Sequence, residues 1–101
     1  MFGLAVSSSS PAVGARCGSA RAGVGAVASQ NITDPTLGPW LLDLMAGGAS
    51  AEEAIQQVVA AAPHIQFRQF TAVDARGGTA AFEGSETLGV HAVAEGTGCV
   101  A

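Results

Sequence analysis

The chain contains no lysine and no tyrosine, and its four basic residues are arginines scattered along the sequence. Nucleic-acid-binding surfaces need clustered positive charge, so a nucleic-acid partner is not expected. No apolar run approaches the roughly 18 residues that a membrane-spanning helix requires. The short apolar stretch 1–6 has no basic residue before it, unlike a secretory signal. The sequence therefore predicts a cytoplasmic protein that contacts no membrane.

Cysteine is scarce as well, with only Cys17 and Cys99 in the chain. Because nothing else indicates a secreted protein, two unpaired and mostly buried thiols are expected in place of a disulfide. His64 and His91 are far apart, and neither has a cysteine or carboxylate at metal-ligand spacing. Phosphate-binding and nucleophile-elbow motifs are also missing. No metal or cofactor is therefore predicted.

Small residues dominate the amino-acid composition. Hydrophobic residues make up 49% of the 101 positions, and glycine adds 14 more. This length allows one small domain. Alanine buries little apolar area, so the few large side chains must supply much of the core. We expect that role for Phe2, Leu4, Trp40, Leu41, Leu44, Ile55, Phe67, Phe70 and Phe82.

Two strands are predicted in the first third of the chain. Residues 2–8 alternate between large apolar and small side chains, which is typical of a strand. Residues 8–18 are rich in Ser, Pro and Gly and indicate a loop. Residues 22–29 are small on both faces, and this pattern predicts a strand that is buried on both sides.

Two helices follow. Asp34 and Pro35 are a typical helix start, and Gly47-Gly48 a typical helix end. Ser50 and Glu53 have the spacing of a capping box for the second helix. Pro63 is expected to stop that helix.

The last third predicts a hairpin of strands 66–73 and 79–83, joined by a turn at 74–78, and one more short strand around 90–93. The predicted order is β-β-α-α-β-β, an α+β fold. The two helices can cover one face of the sheet. A partner subunit or a missing piece of chain is then needed for the other face.

Candidate site residues lie in loops and at strand ends, where binding sites are usually built. They are Ser9 and Arg16 in the first loop, Gln30 and Asn31 after the second strand, and His91 in a glycine-rich stretch. Each also has a purely structural interpretation. Asn31 is suited to starting the turn into the helix, and serine runs are mostly turn residues.

Several segments together resemble one known family. They are FGLAVSSSSPAVGARCGSARAGVGAVASQN, LGPWLLDLMAGGASAEEA, FRQFTAVDARGGTAAFEGS and the glycine-rich stretch around His91. Their order and spacing resemble the bacterial family called domain of unknown function 1028 (DUF1028), which is similar to the N-terminal-nucleophile (Ntn) hydrolases. The resemblance covers essentially the whole chain.

The resemblance implies a four-layer αββα sandwich, as in proteasome subunits. Such enzymes attack an amide carbonyl with an N-terminal Thr, Ser or Cys, whose own α-amine serves as base. Family members usually begin with an additional strand that carries Thr or Ser, and they are roughly twice as long. The chain is therefore expected to be a fragment, a partial Ntn-hydrolase-like domain without its nucleophile.

The leading hypothesis is a truncated member of this family whose parent hydrolyses a small amide or cyclic amide. Arg16 would hold a substrate carboxylate, Gln30 or Asn31 would donate to an oxyanion, and His91 would position substrate or move a proton. The alternative is a non-enzymatic binding or assembly module that forms a homo-oligomer through its sheet. A catalytic serine within 7–10 is a third possibility.

Overall fold

The structure, a computed structural model that describes residues 1–101, is a mixed α+β fold with three α-helices and six strands. This confirms the predicted fold class. The helices are α1 (Gly14–Cys17), α2 (Leu37–Ala46) and α3 (Ala51–Ala61), and a 3-10 turn spans Ile65–Phe67. The strands are β1 (Gly18–Arg21), β2 (Gly25–Gln30), β3 (Gln69–Asp74), β4 (Thr79–Glu83), β5 (Glu95–Gly96) and β6 (Cys99–Val100).

The first four strands form one antiparallel sheet in the order β1-β2-β3-β4, and β5 and β6 form a separate two-stranded sheet. The register of β2 against β3 aligns Val27 with Ala72. In the next pair, Phe70 lies opposite Phe82, and the two rings stack with centroids 6.1 Å apart. These side chains share one face, because alternate residues of a strand point to the same side of the sheet.

Helices α2 and α3 pack on that face and close the core. Leu41 and Val58 are fully buried there with Phe70. The predicted capping box is present, since Ser50 Oγ accepts from the Glu53 N–H at 3.1 Å and the Glu53 carboxylate accepts from the Ser50 N–H at 2.8 Å. The core contains Val27, Leu37, Leu41, Leu42, Met45, Ala51, Ala54, Ile55, Val58, Phe70, Ala72 and Ala80.

The first predicted strand is wrong. Residues 2–8 form no strand, and the predicted loop 8–18 instead contains α1 and leads directly into β1. A short turn explains the pairing of β1 with β2. Gly23 has a φ of +71° there, and the Val24 N–H donates to the Arg21 carbonyl at 3.1 Å. Such glycine-centred turns bring neighbouring segments together at little entropic cost, so β1 occupies the edge beside β2.

The tail also differs from the prediction. The stretch 90–93 forms no strand, and the two short strands of the tail are β5 and β6. They pair with each other through Gly98, which has a φ of +68°. Leu4 is 40% exposed, and Leu4, Phe2 and Phe67 all lie outside the core cluster, so the expectation that these three supply the core is wrong.

Strand β2 is buried on its helix side, where Val27 is 2% exposed, but only partly on the other side, where Ala26 is 6% exposed and Ala28 is half-buried, so the prediction of burial on both faces is confirmed in part. The expectation that no part of the chain lies on the second face needs correction. Gln69 Nε2 donates to the Ala92 carbonyl at 3.4 Å and ties the tail to this face. The chain ends leave an apolar groove of about 330 Å³ between them, lined partly by Gly3, Leu4, Ala26, Ala28, Val73 and Val100.

Both cysteines are free thiols. Cys17 is buried as expected, whereas Cys99 is exposed because it lies in the β5–β6 hairpin at the surface. None of the helices is long and apolar enough to cross a membrane.

A single carboxylate joins the β3–β4 hairpin to helix α3. Asp74 is 4% exposed. Its Oδ1 accepts from the N–H groups of Arg76 and Gly78, each at 2.9 Å, and its Oδ2 accepts from the Ala51 N–H at 3.0 Å. Burial alone would raise the pKa of Asp74, but these donors outweigh it and hold the pKa below its ordinary 3.8.

We expect Asp74→Asn to lower the free energy of unfolding by about 2–3 kcal/mol, because one carboxylate oxygen is replaced by an N–H₂ group that cannot accept from the N–H it faces, and the remaining hydrogen bonds lose the charge of the acceptor. The pKa of Asp74 is lower in the folded chain than in the unfolded chain. Its stabilisation is therefore present above about pH 4 and is lost as the pH falls through the folded-state pKa. Urea unfolding at pH 7 and pH 3 measures both effects. The control is Asp43→Asn on the exposed face of α2, and equal losses in the two variants would contradict the prediction.

Candidate functional site

An open cleft of about 790 Å³ lies where β2 ends and the chain turns toward α2. Its walls come from the four consecutive serines 7–10, helix α1, the loop after β2 and the stretch that precedes β5. Polar groups predominate in this lining, unlike that of the apolar groove. The lining residues are 7–10, Val13, Arg16, Cys17, 30–33, Gln69, Leu88 and 90–92.

The structure brings all five predicted site residues to this one cleft. Ser9 and Arg16 line one side, Gln30 and Asn31 line the end of β2, and His91 lies on the tail. The pairing of Gln30 with Gln69 explains this convergence, since it brings the end of β2 beside the start of β3. The second histidine, His64, is exposed and is not part of the lining.

Arg16 is the only cation that lines the cleft. It is exposed, and the one hydrogen bond of its side chain runs from Nη1 to the Pro11 carbonyl at 3.5 Å. Guanidinium carries five N–H donors in a planar fork. Most of these donors are therefore free to bind a carboxylate or another planar anion.

Asn31 and Ile32 adopt left-handed backbone conformations, with φ values of +56° and +36°. Asparagine tolerates this region, whereas a β-branched isoleucine is strained in it. The Asn31 Oδ1 accepts from the Leu88 N–H at 3.0 Å, so the loop after β2 is joined to the tail. The Asn31 amide N–H₂ group makes no hydrogen bond within the chain, and Asn31 lines the cleft. Asn31 therefore starts the turn and also lines the candidate site.

Arg68 supports the same loop from the helix side. It is only 8% exposed, and its Nη1 donates to the Ile32 carbonyl. The adjoining Asp34 accepts from the Thr36 hydroxyl at 2.6 Å and from the Thr36 N–H at 2.9 Å. These two bonds hold the pKa of Asp34 below its ordinary value. Burial opposes them with a smaller effect, and the charge of Arg68 lowers the pKa slightly further. Asp34 thus caps the turn that leads into α2, which begins at Leu37.

A carboxylate lies beside His91 that the sequence did not indicate. The Glu83 Oε1 contacts the His91 Nδ1 at the end of β4. This contact depends on the path of the tail across the sheet, and no local sequence signal reports that path. The register of the β3–β4 hairpin pairs Glu83 with Gln69, and this pairing was the one signal that could have placed Glu83 near the cleft. No group of three or more His, Cys, Asp or Glu side chains is arranged to hold a metal ion.

These observations describe a small α+β domain with a polar cleft at one end of its central strand pair. The family of unknown function DUF1028 matches residues 1–101, and the chain belongs to this family.

A solved structure with the same fold supports the assignment. The crystal structure of protein SPO2555 from Silicibacter pomeroyi, a DUF1028 protein, superposes with a TM-score of 0.82 at 26% sequence identity. The match covers 87% of this chain but only 39% of that protein, so the chain spans well under half of its length. No curated protein matches the chain significantly.

We expect Asn31→Ala to lower the free energy of unfolding by about 1–2 kcal/mol, because it removes the bond to Leu88 and disfavours the positive φ. Asn31→Asp keeps an acceptor oxygen and tolerates the same backbone, so it serves as the matched control and should lose less. Urea unfolding measures the stability, and the amide shift of Leu88 reports the bond. An alanine variant as stable as the wild type, with an unchanged Leu88 amide, would refute this role.

Proposed function

We propose that the cleft binds a small amide or cyclic amide that carries a carboxylate, and that it forms part of a site that hydrolyses the amide bond. The observation that supports this most directly is the meeting of one guanidinium, three carboxamides and one imidazole in a single cleft. These groups suit, respectively, a carboxylate, a carbonyl oxygen that gains negative charge, and a proton in transit.

The dimensions of the cleft agree with a small ligand. Its volume of about 790 Å³ lies within the usual range for small-molecule sites. Three large apolar side chains, Ile32, Leu88 and Val90, are exposed beside its polar groups. They provide contact for the aliphatic part of a ligand, while Arg16 and Asn31 fix its polar ends.

A relationship to the Ntn hydrolases is part of this proposal. One four-stranded sheet with α2 and α3 on a single face corresponds to two layers of a four-layer αββα sandwich. The other two layers would belong to the longer proteins of the family, which we propose are bacterial and cytoplasmic enzymes. Two free thiols suit such a reducing compartment.

Binding is tested by ¹⁵N NMR titration of the chain with N-acetylglycine and with pyroglutamate, each of which carries an amide and a carboxylate. We expect shifts confined to residues of the cleft, and an affinity at least about 10-fold weaker in Arg16→Ala, because the charged hydrogen bonds are lost. Arg21→Ala is the matched control, since Arg21 is exposed and pairs with Asp43 at 2.8 Å. Absent or evenly scattered shifts would reject the proposal.

A second candidate function is self-association through the sheet face opposite the helices. The apolar groove on that face favours it, because the two chain ends cover the face only in part. A second copy could bury Ala28 and Val73 more completely, and exposed apolar grooves often mark interfaces. In this case the chain is an assembly module and its groove is the functional surface.

Light scattering after size exclusion distinguishes this candidate. A dimer would show twice the 9.9 kDa of the chain. Ala28→Glu in the groove should then give the monomer, because it places an unpaired charge in the interface. Ala60→Glu, on the exposed side of α3, should leave the dimer intact. A wild-type chain that is monomeric at all concentrations would exclude this function.

A further inference from the structure

We propose that Glu83 and His91 form the proton-accepting pair of the cleft, with His91 as the catalytic base and Glu83 as the residue that positions it. This inference rests on the proposed function, whose hydrolysis step it makes specific. It also departs from the chemistry that the family resemblance suggested, because there the base is an N-terminal α-amine.

The contact between the two side chains determines which imidazole nitrogen faces the ligand. Glu83 Oε1 contacts His91 Nδ1, and the two side chains remain 28% and 34% exposed. A carboxylate at Nδ1 favours a proton on that nitrogen, which leaves the Nε2 lone pair free. Since His91 lines the cleft, Nε2 is the ring atom that is available to accept a proton there.

The sheet holds this pair through two neighbouring strands. Glu83 on β4 and Gln69 on β3 are cross-strand partners. Gln69 Nε2 donates to the carbonyl of Ala92, the residue that follows His91, at 3.4 Å. Glu83 thus holds the imidazole ring of His91, and Gln69 holds the backbone at Ala92 beside it. Support of this kind is what a base needs in order to stay in a productive orientation.

His91 is also the only group in the lining that is suited to this role. Arg16, Cys17 and His91 are the ionisable residues among those that line the cleft. Arginine does not release its proton in proteins. Cys17 is only 7% exposed, and its Sγ lies 3.7 Å from the Thr33 hydroxyl. A partly exposed ion pair such as Glu83–His91 adds little to the stability of the fold. Stability alone therefore does not explain the carboxylate of Glu83 beside His91.

The reaction balances without a further reactant. His91 Nε2 takes a proton from a water molecule as the water oxygen forms a bond to the amide carbon, and the carbonyl oxygen becomes an oxyanion. The Asn31 amide N–H₂ donates to this oxyanion. The carbonyl then re-forms, the C–N bond breaks with its electron pair on nitrogen, and the nitrogen receives the proton from Nε2. The products are a carboxylic acid and an amine.

The test uses the same chain and the same two probes, N-acetylglycine and pyroglutamate, with their hydrolysis followed by ¹H NMR. His91→Gln should lower kcat by about 100-fold or more, the usual contribution of a general base, and leave the binding affinity within about twofold. Glu83→Gln should lower kcat by a smaller factor. His64→Gln, which alters the histidine outside the cleft, should retain the wild-type rate.

A spectroscopic readout separates positioning from a merely structural role. The ¹⁵N shifts of neutral His91 should show the proton on Nδ1 in the wild type, and Glu83→Gln should increase the share of the Nε2–H form. Wild-type His91 with its proton on Nε2, or a His91→Gln variant with the wild-type rate, would overturn the proposal. Probes that bind the cleft without being hydrolysed would overturn this proposal and leave the binding function standing. Probes that do not bind would reject both.

Discussion

The antiparallel pairing of β2 with β3 is the constraint on which the rest of the structure depends. Its helix side carries Val27 and Ala72 into the core beneath α2 and α3. Its other side forms the floor of the apolar groove. Its end, where Gln30 meets Gln69, opens into the polar cleft. One set of backbone hydrogen bonds therefore positions the core, the groove and the candidate site together.

The loop after β2 shows how the scaffold holds a strained segment. Arg68 binds its Ile32 carbonyl from the helix side, and the Leu88 N–H binds Asn31 from the tail. Left-handed conformations at non-glycine residues persist only where their surroundings favour them. The two contacts come from parts of the chain that are distant in sequence, so the shape of the cleft depends on the complete fold.

Much of the fold could be predicted because its signals are local. The capping box at Ser50 and the turn after Asp74 each lie within five residues, and the structure confirms both. Strand 2–8 was predicted wrongly because alternation shows that a segment can be a strand, but not that a sheet edge is free to receive it. Strand β1 occupies that edge instead.

The candidate site was partly predictable for a related reason. Strand ends indicated where Gln30 and Asn31 would lie, and loops indicated Arg16 and His91. Glu83 was missed because its importance arises only from the tail that lies across β4. Arg68 was missed as well, since nothing in the sequence near it indicates a buried guanidinium that binds the carbonyl of Ile32.

The β2–β3 pairing also has a consequence for the stability of the cleft. Helices α2 and α3 both lie within the segment 31–68, and the paired strands β2 and β3 hold the two ends of this segment together. The entropic cost of bringing the ends of a flexible segment together rises only logarithmically with its length, by about 0.6 kcal/mol for each doubling. The residues at the two ends of this helical segment, Gln30 and Gln69, therefore cannot separate unless the sheet itself opens, so the cleft they line is as stable as the strand pair.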